Sequence, residues 1–572
     1  MTHTSGGLES NGAQTDQERE VQKQYWKEHS SQPTVEAMML DSKAAEIDQL
    51  ERPEVLSLLG DVSGKDIVEL GAGIGRFTGE LADRGAKSIH AVDFMEASIE
   101  ENRRINGKNH PSISFQAADV TELELPEQSY DIVFSNWLLM YLSDAEVEAL
   151  AAKMLRWLRP GGCVFFRESC FKQSGDKARK YNPTHYRNPR EYFRIFDSVA
   201  RQLGPQHQHL ELQFCKCVDT YVQVKRNQNQ ICWKWTKAVD DAPRGDQLRH
   251  FLDSQQYASD NIARYEAVFG HGFTSPGGAE SAAELSAMLG LKGGERVLDV
   301  GCGVGGSTYA ISEAYGCHCH GLDLSVNAVL AALERATGRP GADVTFEVAD
   351  CMVREYEAGS FDVVYSRDVL LHVADKAALV RKFYNWLKPG GRILITDYCA
   401  PDAAADANPN GNGADTNSSA NGSAGADVVS SSGASIGDAK GASNGASNGH
   451  ANGHSNGHAA GNGCASAHHD QDDQHGLQAY LSSRRYSLAS LAQYSKLMLA
   501  AGFADVVVED RTQQFIKWLT IELERLQHGK EAFVSQWGQA QFDDFEANWQ
   551  AKIRRAQSGV QRWGLVTARK PE

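Results

Sequence analysis

Residues 297–312 read VLDVGCGVGGSTYAIS and residues 67–82 read IVELGAGIGRFTGELA. Each is a β-branched apolar run that breaks into glycines and then into a helical pattern. The two segments are offset by 230 residues, and the same offset separates HAVDF, ending at Phe94, from HGLDL, ending at Leu324. FQAADV and FEVADC, YDIVFSNWLLMYL and FDVVYSRDVLLHV, and WLRPGGCVFF and WLKPGGRILI follow in the same order. Five motifs repeated in one order predict a duplicated domain. Within each copy short apolar runs alternate with helical segments, so each predicts a doubly wound, Rossmann-like α/β fold with helices on both faces of a parallel sheet. A further strand pair is expected to close each sheet: VDTYVQVK (218–225) with ICWKWTK in the first copy, and ADVVVED with RWGLVTARK in the second.

These boundaries give a disordered N-terminus over 1–20, a first domain over 21–240, a linker over 241–254 and a second domain over 255–572. The second domain is interrupted over 401–475 by Gly, Asn, Ala, Ser and Asp with no Phe, Trp or Tyr. Such a tract has too little apolar surface to fold and reads as a disordered low-complexity insertion. Its histidines read as solvated, not as metal ligands.

The 572 residues carry a formal net charge of −17, which argues against duplex nucleic acid as a partner, because that needs a basic face. No run approaches 18 apolar residues, and MTHTSGGLESNGAQTDQERE has no signal-peptide core, so no stable membrane insertion is expected and the chain reads as cytoplasmic. The 11 cysteines are odd in number, and Cys163, Cys232, Cys351 and Cys399 fall in predicted strands, as reduced core thiols do. Cys317, His318, Cys319 and His320 are consecutive in a predicted strand. Neighbours there point to opposite faces and cannot surround one tetrahedral ion, so no metal is expected.

The glycine turn alone is weak evidence, since GCGVGG also satisfies the dinucleotide pattern. The first copy decides, because Arg76 stands where that pattern needs its third glycine. Both copies instead read acid-x-Gly-x-Gly, at Glu69, Gly71 and Gly73 and at Asp299, Gly301 and Gly303. This resembles motif I of class I methyltransferases, which bind S-adenosyl-L-methionine. Asp93 and Asp323, 22 residues after the first glycine, sit where a carboxylate takes both ribose hydroxyls, and Asp119 and Asp350 end the third strand near the adenine. The resemblance assigns the same ligand to Val120, Leu324, Cys351, Asn136, Arg367 and Ser275.

The likeness then narrows. YWKEHS, TVEAMMLDS, ERPEVL, FSNWLLMYLSD, FFRESCF, NPTHYR and NQNQICW resemble the first unit of the plant-type phosphoethanolamine N-methyltransferases. QYASDNIARYEAVFG, SRDVLLHV, TDYC, YLSSRRYSL and QRWG resemble the second. The resemblance implies three successive methylations of phosphoethanolamine to phosphocholine, feeding phosphatidylcholine synthesis, with the first step in the first domain and the later steps in the second.

In the second domain it implies a general base at His372 paired with Tyr257, and phosphate binding by Tyr398, Tyr480, Arg484, Tyr486 and Lys552. Asp368, four residues before His372, reads as its neighbour on one helical face and as the holder of the ammonium. The first domain departs from this pattern, with Trp137, Tyr141 and Ser169 aligned to Asp368, His372 and Tyr398. Its candidates for the phosphobase are Tyr25, Tyr181, His185, Tyr186 and Arg187. The competing readings are a tandem methyltransferase for another small amine, and one copy serving as a silent regulatory binding domain.

Overall fold

The computed structural model describes residues 20–22, 24–28, 34–39, 41–176, 184–240, 248–402 and 477–572. Tyr181, most of the N-terminus and the tract 403–476 lie outside these residues. Both copies belong to the body formed by Met1–Pro401 and Leu477–Glu572.

The first copy contributes β1 (Asp66–Leu70), β2 (Ser88–Asp93), β3 (Ile113–Ala117), β4 (Tyr130–Asn136), β5 (Leu158–Ser169), β6 (Ala200–Leu203), β7 (Gln206–Cys217) and β8 (Gln230–Asp240). The second contributes β9 (Arg296–Val300), β10 (His318–Asp323), β11 (Val344–Val348), β12 (Phe361–Arg367), β13 (Leu387–Cys399), β14 (Ala504–Asp510) and β15 (Arg562–Arg569). Across the sheet the first copy runs β3-β2-β1-β4-β5-β8-β7 and the second β11-β10-β9-β12-β13-β15-β14, the same permutation. The first five strands of each copy are parallel; β8 and β15 run against them, and β7 and β14, antiparallel to β8 and β15, return to the common direction. The central strands β1 and β9 are buried along their apolar runs, as expected where helices cover both faces.

The two sheets are one. β7 pairs antiparallel with β11, setting Lys216 opposite Glu347 and Cys215 opposite Val348. A single apolar cluster crosses this seam, joining Leu212, Cys215 and Trp233 to Val344, Phe346 and Val348. On one face, Arg190 of the helix Pro189–Ser198 donates to Ser259 Oγ at 3.1 Å and Asn327 Oδ1 at 3.3 Å in the second copy.

Three expectations are corrected. Residues 219–225 form a helix, not a strand, and β8 pairs instead with β7. The carboxylate of Glu54, from the helix Ala44–Leu59, accepts Asp219 N at 2.6 Å, Thr220 N at 3.0 Å and Thr220 Oγ1 at 2.8 Å. It thereby satisfies the orphan donors of a first turn from a remote segment. Asp368 is not helical: its φ is +57°, and the only helical turn nearby is Leu370–His372. Cys351 lies in the turn after β11, half-buried, whereas Cys163, Cys232 and Cys399 are strand residues.

Between β14 and β15 the second copy inserts the helices Thr512–His528, Lys530–Trp537 and Gln539–Gln557. Phe515, Leu519, Glu522 and Leu526 recur at helical spacing on the buried side of the first. That face packs with Phe542, Phe545 and Trp549 against Tyr398 and Phe269, which brings the third helix over the end of β13. No helix among the described residues is long and apolar enough to cross a membrane.

Two candidate active sites

The motif I turns are built alike in both copies. Gly71 and Gly301 have φ of +71° and +76°, and a Cβ at Gly301 would collide with Val369. The amides of Gly73 and Gly303 donate to Asp93 Oδ2 at 2.9 Å and Asp323 Oδ2 at 2.8 Å, while the other oxygens accept Met95 N and Ser325 N, both at 2.8 Å. The predicted ribose carboxylates therefore also hold the turn. Nine residues after the motif acid a threonine caps it: Thr78 Oγ1 donates to Glu69 and Thr308 Oγ1 to Asp299, each at 2.6 Å.

Burial dominates the electrostatics here. It pushes Glu69 up to about 8, Asp299 up to about 7 and Asp323 up to about 6, and it raises Asp93 as well. A cationic ligand placed beside these acids would draw them back to their charged forms. Asp119 and Asp350 stand two residues past their strands and bind the following turn, to Thr121 N at 3.0 Å and Met352 N at 2.8 Å. Glu69, Gly71, Gly73, Asp93, Asp119, Val120 and Asn136 all line one cavity. In the second copy Leu324 and Asp350 line a groove together with Pro160, Gly161 and Gly162 from β5 of the first. Burial pushes the neighbouring Cys351 thiol up to about 12. Arg367 donates to Pro276 O, to Gly278 O at 3.3 Å and to Ser281 Oγ at 2.9 Å, bracing the loop that carries Ser275. Glu522 accepts Gly277 N at 2.6 Å from the other side.

Beyond the motif turn, the second copy gathers residues from five remote segments. Asp368 Oδ1 accepts Trp563 Nε1 at 2.8 Å and Thr396 Oγ1 at 3.2 Å, and its buried Oδ2 has no hydrogen-bond partner. Burial raises its proton affinity. A left-handed aspartate is uncommon, and such strain concentrates at functional sites. His372 lies edge-on to Tyr486, ring centres 5.0 Å apart, and Tyr486 meets Tyr480 at 5.8 Å and Tyr398 at 6.2 Å. Lys552 Nζ donates to Tyr398 OH at 3.3 Å, and the Arg484 guanidinium lies 6.0 Å from the Tyr480 ring centre. Both imidazole nitrogens of His372 are buried without a hydrogen-bond partner, so none joins it to Tyr257 in this conformation. Burial, with Lys376 and Arg484 nearby, lowers His372 to about 4. Tyr257 packs 6.3 Å from Tyr265, and Asn327 Nδ2 donates to its carbonyl at 3.1 Å.

The first copy sets Trp137 in the same left-handed turn, φ +55°, and Tyr141 at the end of the same short turn of helix. Behind Trp137 lies a buried network. Glu51 accepts Arg76 at 2.6 Å and Arg167 at 2.9 Å; Arg167 donates to Asn136 Oδ1 and Gln230 Oε1, both at 2.8 Å, and stacks 3.8 Å from the Trp137 ring centre. Trp137, Tyr141, Ser169, Tyr186 and Gln230 line the same cavity as the motif turn. Arg187 does not: its guanidinium donates to Leu139 O, Leu142 O and Asp144. His185 is exposed, its amide bound to Met140 O at 2.7 Å. Tyr25 is fully buried against Trp26, and Trp26 is the residue that reaches the cavity, edge-on to Tyr141 at 5.3 Å.

Sequence reasoning missed Trp563, Glu522 and Trp549 in the second copy, and Trp26, Arg167 and Glu51 in the first. Each arrives from a distant segment and carries no local pattern. The quoted QRWG and FFRESCF motifs contain Trp563 and Arg167, but nothing in them names a role.

Profiles describing a methyltransferase domain match residues 67–162 and 291–440. The chain is 45% identical over 561 residues to a phosphoethanolamine N-methyltransferase of Triticum aestivum, covering 98% of this chain and 97% of that one. It is 44% identical to phosphoethanolamine N-methyltransferase 1 of Arabidopsis thaliana, over 98% and 99%. A Haemonchus contortus phosphoethanolamine N-methyltransferase 2, solved with phosphomonomethylethanolamine and S-adenosylhomocysteine, shares the fold with a TM-score of 0.64 at 23% identity, over 91% of this chain and 99% of that one. The duplicated motif turns, the shared strand order and full-length identity of this size agree: the chain belongs to the phosphoethanolamine N-methyltransferase family.

Proposed function

We propose that this chain methylates the amine of phosphoethanolamine with S-adenosylmethionine, through mono- and dimethyl intermediates to phosphocholine, and so supplies phosphatidylcholine synthesis. The first copy takes the first step and the second the later ones, with residues 21–240 and 255–572 as the two units. The free thiols of the described cysteines suit a cytoplasmic, reducing setting.

The observation that carries this reading is the convergence in the second copy of an unpartnered carboxylate oxygen, an unpartnered imidazole and a cluster of tyrosines with Arg484 and Lys552. When bound, S-adenosylmethionine supplies a methyl group on sulfonium, which an amine lone pair can displace. The amine is mostly protonated at neutral pH, its pKa lying near ~10.4 as for lysine. Asp368 Oδ2 holds the ammonium until His372 takes one of its protons, and the lone pair so freed then attacks the methyl carbon, the S–C bond breaking and the thioether leaving. Arg484, Lys552 and the tyrosine hydroxyls bind the phosphate, and the same rings face the growing methylammonium.

The test is incubation of the full chain with methyl-labelled cofactor. Phosphoethanolamine should yield labelled mono- and dimethyl forms and then phosphocholine, and ethanolamine without phosphate should stay unlabelled. Equal labelling of ethanolamine or glycine would sink the reading.

A further inference from the structure

The second copy's cluster holds a third cation. Arg555 follows Lys552 by three residues on the helix Gln539–Gln557, so the two share a face. Its guanidinium carbon lies 3.8 Å from the centre of the Tyr480 ring, closer than the 6.0 Å of Arg484. Its Nε donates to Gln561 Oε1 at 3.1 Å, which fixes the plane of the fork. Tyr480 in turn meets Tyr486 edge-on, and Tyr486 meets His372.

Among the described residues no carboxylate forms an ion pair with Arg484, Lys552 or Arg555, although surface cations elsewhere in the chain commonly find one. Like charges one turn apart repel. Burial lowers the proton affinity of Lys552; Tyr480 and the Glu522 carboxylate oppose that fall, and the charges of Arg484 and Arg555 add to it. A folded chain keeps such a group together where an anion completes it. Arg484 and Lys552 alone match the charge of a phosphate monoester, about −1.5 to −2 at neutral pH. A third cation leaves an excess that a singly charged anion offsets less well.

We propose that Arg555 is a positioning and charge-selecting residue for the phosphate. Pressed on Tyr480, it holds that ring against Tyr486, and its charge makes the second copy favour a doubly charged monoester over singly charged anions. The inference rests on the phosphobase reading above and adds to it a residue and a selectivity.

The test uses the full chain with Arg555→Ala and Arg555→Lys. Turnover of the dimethylated phosphobase gives KM and kcat. Calorimetry at pH 8 with S-adenosylhomocysteine present gives affinities for phosphocholine, choline O-sulfate and choline. Arg555→Ala should raise KM and weaken phosphocholine by roughly 10- to 100-fold, the worth of one hydrogen bond or contact to a charged group, with the rise in KM far exceeding any fall in kcat. Choline O-sulfate should lose less and choline nothing. Arg555→Lys should recover part of the loss by restoring the charge without the flat stacking. Unchanged phosphocholine affinity in Arg555→Ala overturns the inference, and so does an equal loss for all three ligands, which would mark a merely structural role. A wild-type chain that binds choline as tightly as phosphocholine overturns the phosphobase reading itself.

Discussion

His372 is neutral at pH 7 because burial, Lys376 and Arg484 all oppose its protonation. In the proposed reaction a phosphate dianion beside Arg484 would offset part of that opposition, so the substrate that brings the proton would also make the imidazole a better acceptor. His372→Ala should lower turnover of dimethylated phosphobase by roughly 10²–10⁴-fold, the usual worth of a general base, with recovery as pH climbs toward the amine's own pKa. Near wild-type turnover at pH 7 would remove His372 from the mechanism. The same residue predicts a stability profile. Its folded pKa, about 4, lies below the ordinary 6.5, so the unfolded chain binds the extra proton. Its contribution is full above pH 6.5 and is lost as pH falls from 6.5 toward 4, up to about 3 kcal/mol. Urea titrations at pH 7.5 and 5 should show a smaller acid loss in His372→Phe than in the wild type. Asp323→Ala removes both the carboxylate assigned by resemblance to the ribose and the anchor of Gly303 N and Ser325 N. Calorimetry with S-adenosylmethionine should count one site fewer, leaving the Asp93 site intact; two sites of unchanged affinity would refute the assignment.

At the scale of elements, the helix Asp219–Lys225 depends on a cap that its own sequence lacks. Val218, at the N-cap, offers no side-chain acceptor, and Glu54 supplies it from another helix. Glu54→Ala should cost about 1–2 kcal/mol, the usual worth of a cap, measured as a shift in urea midpoint with faster hydrogen exchange at Asp219 and Thr220. Unaltered exchange there would mean that tertiary packing alone holds the helix. The reading of 218–225 as a strand failed for this reason: VDTYVQVK alternates like a strand, and the deciding carboxylate lies more than 160 residues away. The β14–β15 pair was legible because Ala504–Asp510 and Arg562–Arg569 carry their own β-branched patterns. Where the helices between them sit over Tyr398 is set by packing that no local motif records.

At the scale of the molecule, the copies share a continuous sheet and core, although two repeats suggested two separable domains. Cutting the chain in the 241–247 segment and expressing 20–240 and 248–572 apart would strip β7 and β11 of each other and expose Cys215, Val344 and Val348. Bare strand edges beside uncovered apolar side chains invite aggregation. Separate expression should give insoluble or unstable halves, and co-expression should restore soluble material that elutes as one complex. Halves that are each monomeric and stable, with melting temperatures near that of the whole, would show that the seam contributes little.

The sequence by itself determined what depends on near neighbours along the chain. The repeat, the class of fold, both acid-x-Gly-x-Gly turns and the Asp93 and Asp323 carboxylates that hold them lie in short motifs whose backbone demands are local, and the left-handed glycines are examples. Tertiary structure alone decided whatever joins distant segments: Glu54 capping Asp219, Trp563 holding Asp368, Arg167 beneath Trp137, Arg555 on Tyr480, and β7 against β11. A side chain's partner on a remote segment is set by how layers pack around a common core, and the residues between them keep no record of that partner.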